Sequence, residues 1–141
     1  MSDATDTLKK LHTRVIDSRD GYKQARDQIE SSERGAFIDR CLEERESFHA
    51  KIHETLRAEG VEVNEDGSMA AAAHRGIFQL RNALSSGNSG VYAECARGDS
   101  NLESTYDEAI EATKGHAEWQ FLVEQRAKVA AAVKEAEALS K

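Results

Sequence analysis

Not one of the 141 residues is proline, where an average usage of about 5% would supply roughly seven. Helix interiors exclude proline most strongly, because its ring removes a backbone donor and clashes with the preceding turn. β-Branched residues are scattered rather than alternating, so no strand pattern competes. The chain therefore reads as all-α, and its breaks come from other residues. These are Ser31-Ser32, Gly60 with Asn64-Glu65-Asp66-Gly67-Ser68, Ser85-Ser86-Gly87-Asn88-Ser89, and Gly115. They divide the chain into five helical segments within a length suited to a single domain, residues 1–141.

Apolar spacing gives each segment a buried face. About Thr5 to Glu30, the residues Leu8, Leu11, Val15, Ser18, Tyr22, Ala25 and Ile29 alternate in steps of three and four, the seam of a bundle helix. From about Glu33 to Glu59 two adjacent stripes appear. Ile38, Leu42, Arg45, His49, Ile52 and Leu56 form one, and Phe37, Cys41, Glu44 and Phe48 the other. A shorter helix from Met69 to Leu84, capped by Ser68, turns Met69, Ala73, Ile77, Leu80 and Leu84 inward. Tyr92, Cys95, Asp99, Leu102, Tyr106, Ala109 and Thr113 mark the next, about Ser89 to Thr113, which Gly115 closes in left-handed geometry. His116 to about Ser140 follows, with Trp119, Leu122, Arg126, Val129, Val133 and Ala136 on its seam.

Four of these segments are about 25 residues long, or close to 40 Å at roughly 1.5 Å per residue, and can pack side by side along their full lengths. The short helix then lies in a long crossover between the second and third long helices. Such a connection spans the bundle and makes those two helices parallel, which is the ferritin-like topology rather than the up-down-up-down one.

The formal net charge is -7 and charged residues make up 32% of the chain. A nucleic-acid binder needs a basic face to neutralise phosphates, so no nucleic-acid partner is expected. No segment approaches the ~20 apolar residues of a membrane span, and MSDATDTLKK carries no signal-peptide core. The expectation is a cytoplasmic protein with no membrane partner. Cys41 and Cys95 lack metal or redox spacing and read as buried, reduced thiols on their seams. Neither a nucleophile elbow, a phosphate loop nor a dinucleotide-binding glycine pattern occurs. No catalytic or cofactor-binding residue is nominated.

Four stretches carry a family resemblance: DGYKQA in the first helix, EERESF in the second, AHRGIFQLRNAL in the crossover and ECARGDSNLESTYDEAI in the third long helix. Across nearly the whole chain they resemble an uncharacterised family of small bacterial four-helix-bundle proteins placed in the ferritin-like superfamily. The resemblance implies a ferritin-like bundle with a fifth short crossover helix, and a loose association with stress.

Ferritin-like di-iron sites take a Glu from each of two helices and a Glu-x-x-His from each of the other two, all facing inward. Such a set neutralises two ions with oxygen ligands, and imidazole completes each coordination sphere. Glu46-Ser47-Phe48-His49 has that spacing, but Glu46 lies off both apolar stripes. Glu44 is on a stripe and is followed three residues later by Ser47. The first helix offers Ser18 at mid-seam, the third long helix offers Asp99 flanked by Glu94 and Glu103, and the last has Arg126 and no Glu-x-x-His. Glu44, Glu46, His49 and Asp99 are thus the metal-ligand candidates of an incomplete set, and His53 beside His49 leaves a mononuclear site open.

Asp99, Glu44, Arg45 and Arg126 fall near the middles of their helices. A buried carboxylate is costly unless paired, and a guanidinium can hold carboxylates where a cation would otherwise sit. The expectation is a buried charge layer of Glu44, Arg45, Asp99 and Arg126, with Asp99 and Arg126 as direct partners. Gly98, inside a helix, suggests a close backbone approach or a bulge. The Arg97-Gly98-Asp99 adhesion tripeptide carries no weight inside a helix. Tyr22, Tyr92 and Tyr106 read as core residues, and His74-Arg75-Gly76 as a solvated face.

The functional expectation is a non-enzymatic ferritin-like bundle with a degenerate metal site and no cofactor, acting in protein interaction or as a stress-related structural protein, with homodimerisation as an option. The alternative is a metal-binding protein (iron, manganese or zinc, mononuclear or dinuclear) with a nonstandard ligand set built on Glu44, His49 and Asp99.

Overall fold

A computed structural model describes residues 2–29, 36–63 and 88–141. They form four α-helices: α1 (Ser2–Gln28), α2 (Phe37–Ala58), α3 (Asn88–Ala112) and α4 (Phe121–Leu139). A single 3-10 turn, Ala117–Trp119, precedes α4, and no strand occurs among the described residues. The Met69–Leu84 crossover helix, its inward residues and His74-Arg75-Gly76 lie outside the described residues.

Side-chain pairs fix the topology. Along α1 and α2, Tyr22 stacks edge-on to Phe37 with ring centroids 6.0 Å apart, Arg45 donates to Ser18 at 3.0 Å, and His12 faces His49 at 4.9 Å. Rising numbers on one helix meet falling numbers on the other, so the two are antiparallel. Lys10 with Glu108 and Ser18 with Asp99, each at 3.1 Å, set α1 antiparallel to α3. Helices α2 and α3 therefore run parallel, and Phe37 meets Tyr92 at 6.0 Å on that account. Tyr106 donates to Gln125 at 2.7 Å and turns α4 back against α3. The ends of α2 and α3 that residues 64–87 join lie at opposite ends of the bundle.

Seam periodicity explains why these segments bury the residues they do. On α2 both stripes turn inward, from Phe37, Ile38, Cys41 and Leu42 to Ile52 and Leu56. The α3 seam reads Tyr92, Asp99, Leu102, Tyr106, Ala109 and Thr113, all buried. Cys41 is buried, Cys95 is only partly so, and both thiols are free. The apolar interior forms two clusters. One gathers Tyr22, Ile29, Phe37, Ile38 and Tyr92, and the other Leu11, Phe48, Leu102, Tyr106 and Trp119. Between them lies a polar layer at mid-bundle.

Two helix ends are stopped by local geometry. After α2, Gly60 takes φ 79°, its N–H donates to Arg57 O at 2.9 Å and the Val61 N–H to Leu56 O at 3.0 Å. That is a Schellman ending, completed by Val61 packing on the cluster that contains Leu56. Gly115 ends the α3 side at φ 87°. The Trp119 indole then docks inward, and its N–H is shared between the two oxygens of Glu59 at 3.3 Å each.

Two expectations are corrected. Gly98 sits exposed in regular helix, and a Cβ there would meet nothing within 4 Å, so neither a close approach nor a bulge accounts for it. On the last segment Trp119, Leu122, Val129 and Ala136 are buried as the seam requires, but Gln125 and Ala132 take the inward positions expected of Arg126 and Val133, one residue earlier in each case. Both arrangements satisfy three-four spacing, and burying a neutral amide costs less than burying an unpaired guanidinium.

Candidate functional site

At the centre of the bundle Arg45 from α2 is wholly buried and Asp99 from α3 is 2% exposed. Arg45 Nη2 donates to Asp99 Oδ2 at 2.8 Å and its Nε to Ser18 Oγ at 3.0 Å. Ser18 in turn donates to Asp99 Oδ1 at 3.1 Å, and the Tyr22 hydroxyl makes a short bond to Oδ2. The guanidinium carbon lies 5.4 Å from the ring centroids of both Tyr22 and Phe48, a cation–π contact on each. Seam spacing on α1, α2 and α3 puts all these groups at one level.

The electrostatics follow from that packing. Burial is the largest influence on Arg45 and works against its charge, but Asp99, together with smaller contributions from Tyr22 and Cys41, outweighs it and holds the guanidinium above its ordinary range. Tyr22 is pushed up by burial and then by Asp99. Burial raises Cys41 to about 11, with Arg45 opposing, and raises Cys95 as well. The site thus favours neutral hydroxyls and thiols around one compensated ion pair.

The structure corrects the nominated charge layer at Arg126. This side chain is 38% exposed, donates to Asp107 at 2.8 Å and lies 3.8 Å from Glu103. It does not meet Asp99, because the α4 phase turns it toward the outer edge of α3. Glu44 flanks the layer, with 27% side-chain exposure and an oxygen 3.3 Å from Arg45 Nη1. The nominated metal ligands do not converge either. Glu46 is exposed, and Asp99 is held by Arg45, Ser18 and Tyr22. Because α1 supplies the partly covered Ser18 and α4 the buried Gln125 at this level, where a carboxylate is required, the residues present do not fit a ferritin-type dinuclear centre.

A second constellation forms one to two turns from the ion pair. His49 and His53 share a face of α2, and His12 of α1, wholly buried, packs against both. Their nitrogens lie within 4.8 Å of one another. His12 was missed on the sequence, although it follows Leu8 by four and precedes Val15 by three, a seam position in its own right.

Comparison with protein families decides the chain's kinship, since a family model matches residues 3–112. The chain belongs to the family described as Domain of unknown function (DUF2383). The DUF2383 match covers Ser18, Tyr22, Arg45 and Asp99 and all three histidines, and it stops at the end of α3. No curated protein and no solved structure matches the chain. No helix among the described residues is long and apolar enough to cross a membrane.

Proposed function

We propose that this chain is a non-enzymatic, ferritin-like bundle protein that acts through its outer surface, as an interaction or stress-related structural component. The supporting observation is the Arg45–Asp99 pair, which sits between the two apolar clusters at 2.8 Å. A guanidinium there supplies the positive charge that a metal ion supplies in a ferritin-type centre, and Asp99 is already bonded at both oxygens. A carboxylate so engaged is not poised as a base or an open ligand. With the interior given to stability, recognition falls to the surface of a chain whose net charge is -7. Proteins are the expected partners, a second copy of the chain among them.

The test is a double-mutant cycle on Arg45→Met and Asp99→Leu, together with iron and manganese analysis of protein purified without chelator. Each single variant should lose about 3–5 kcal/mol, because it strands a buried charge, and the double variant should recover much of that loss. Two iron or manganese ions per chain, lost in Asp99→Leu, would overturn the reading.

A further inference from the structure

Three imidazoles from two helices converge at the α1–α2 interface, away from the ion pair. His49 and His53 stand four residues apart, one turn of α2, a spacing that lets two histidines share an ion. His12 closes the group from α1, with ring centroids at 4.9 Å from His49 and 5.5 Å from His53, and His49 to His53 at 5.9 Å. Imidazoles bound tetrahedrally with metal–nitrogen bonds of about 2.0–2.1 Å place their centroids roughly 5 Å apart. His12 stands near that spacing from both partners, and His49 and His53 are somewhat wider apart. Nitrogens within 4.8 Å of one another must close to about 3.3 Å around such an ion, a movement that side-chain rotation can supply.

We propose that His12, His49 and His53 form a mononuclear site for a divalent late first-row transition ion of the zinc type. The donor set selects this class, since the cluster consists of three nitrogens with no carboxylate or thiolate. Imidazole suits zinc, copper and nickel, whereas magnesium, calcium and manganese take oxygen ligands. Three protein ligands leave a fourth tetrahedral position for water or an anion. Burial adds a second argument. His12 is wholly buried, as are Leu8, Leu11, Val15 and Ile16 on the same helix, and a leucine at its position would continue the seam at lower desolvation cost. His49 and His53 are partly exposed, so an ion would enter from the α2 side. The site uses neither Arg45 nor Asp99, and it stands whether or not the surface role proposed above is correct.

The experiment titrates the chelator-treated full chain with zinc chloride by calorimetry, and with cobalt(II) to read tetrahedral coordination from its visible bands. One ion should bind per chain and raise the melting temperature. Loss of a group that merely supports a ligand weakens metal binding 10–100-fold, so removing a ligand should cost at least about 100-fold. His12→Leu, His49→Gln and His53→Gln should each do so, and His116→Gln, outside the cluster, should not. His12→Leu keeps the seam apolar, and its circular dichroism should show the native helix content. Undetectable zinc binding would reduce the cluster to ring packing. Binding that survives the triple variant would place the ion elsewhere. Either result overturns the proposal.

Discussion

Asp99 accepts from Ser18 on one oxygen and from Arg45 and Tyr22 on the other, and this arrangement separates residues that look alike in the sequence. Arg45 and Arg126 are both mid-helix arginines, but one is wholly buried and the other is 38% exposed. An exposed ion pair is typically worth about 0.2–1 kcal/mol. Arg126→Ala should therefore shift a urea midpoint only slightly, and combining it with Asp99→Leu should show no coupling. Arg45→Met should couple strongly to Asp99. Equal coupling of the two arginines to Asp99 would mean that the α4 phase is wrong. Tyr22→Phe removes one donor from the same carboxylate and should cost about 1–3 kcal/mol, the penalty of a buried acceptor left short of a bond.

At the scale of helices, two glycines make opposite demands. Gly98 lies in regular α3 with open space where a Cβ would stand, and Gly costs about 1 kcal/mol relative to Ala in a helix interior. Gly98→Ala should stabilise by about that amount in urea denaturation. Gly60 holds φ 79° in the turn that ends α2, where an L side chain costs roughly 1–2 kcal/mol. Gly60→Ala should destabilise accordingly, although nothing lies near its Cβ position either. A loss at Gly98 or a gain at Gly60 would contradict the backbone described for that helix.

The whole molecule buries several neutral acids, and this sets its response to alkali. Burial raises Cys41 to about 11 and pushes Cys95, Tyr22 and Tyr106 upward as well. Above the ordinary thiol pKa of about 8.5 the unfolded chain gives up protons that the folded chain keeps, so folded protein binds more protons and stability falls as pH rises. The contribution is complete below about 8.5 and, for Cys41, is lost as pH climbs through about 11. Urea midpoints should be flat near neutrality and drop across that window, less steeply in Cys41→Ala. A midpoint that holds steady or rises there would contradict the burial of these groups.

Helix content and three of the four seams were legible in the chain because they depend on local periodicity. The three-four spacing from Leu8 to Ile29, from Ile38 to Leu56 and from Tyr92 to Thr113 matches what is buried, with Ser18, His49 and Cys95 only partly covered. Of the charge layer expected from Glu44, Arg45, Asp99 and Arg126, only Arg45 and Asp99 are buried, with Glu44 at its flank and Arg126 on the outer edge. Of the last seam, Trp119, Leu122, Val129 and Ala136 were legible, and the exchange of Arg126 and Val133 for Gln125 and Ala132 was not. The Ala130-Ala131-Ala132 run of α4 offers little contrast between faces, and Gln125 and Arg126 both fit the spacing until packing against Tyr106 chooses between them. Tertiary structure alone chose Arg45 as the partner of Asp99, because axial register between helices comes from side chains interlocking along their length. The same register brings His12 to His49 and His53 from a position 37 residues earlier in the chain than His49. Spacing along one helix reports which residues share a face, and only the packing of two helices decides which faces meet.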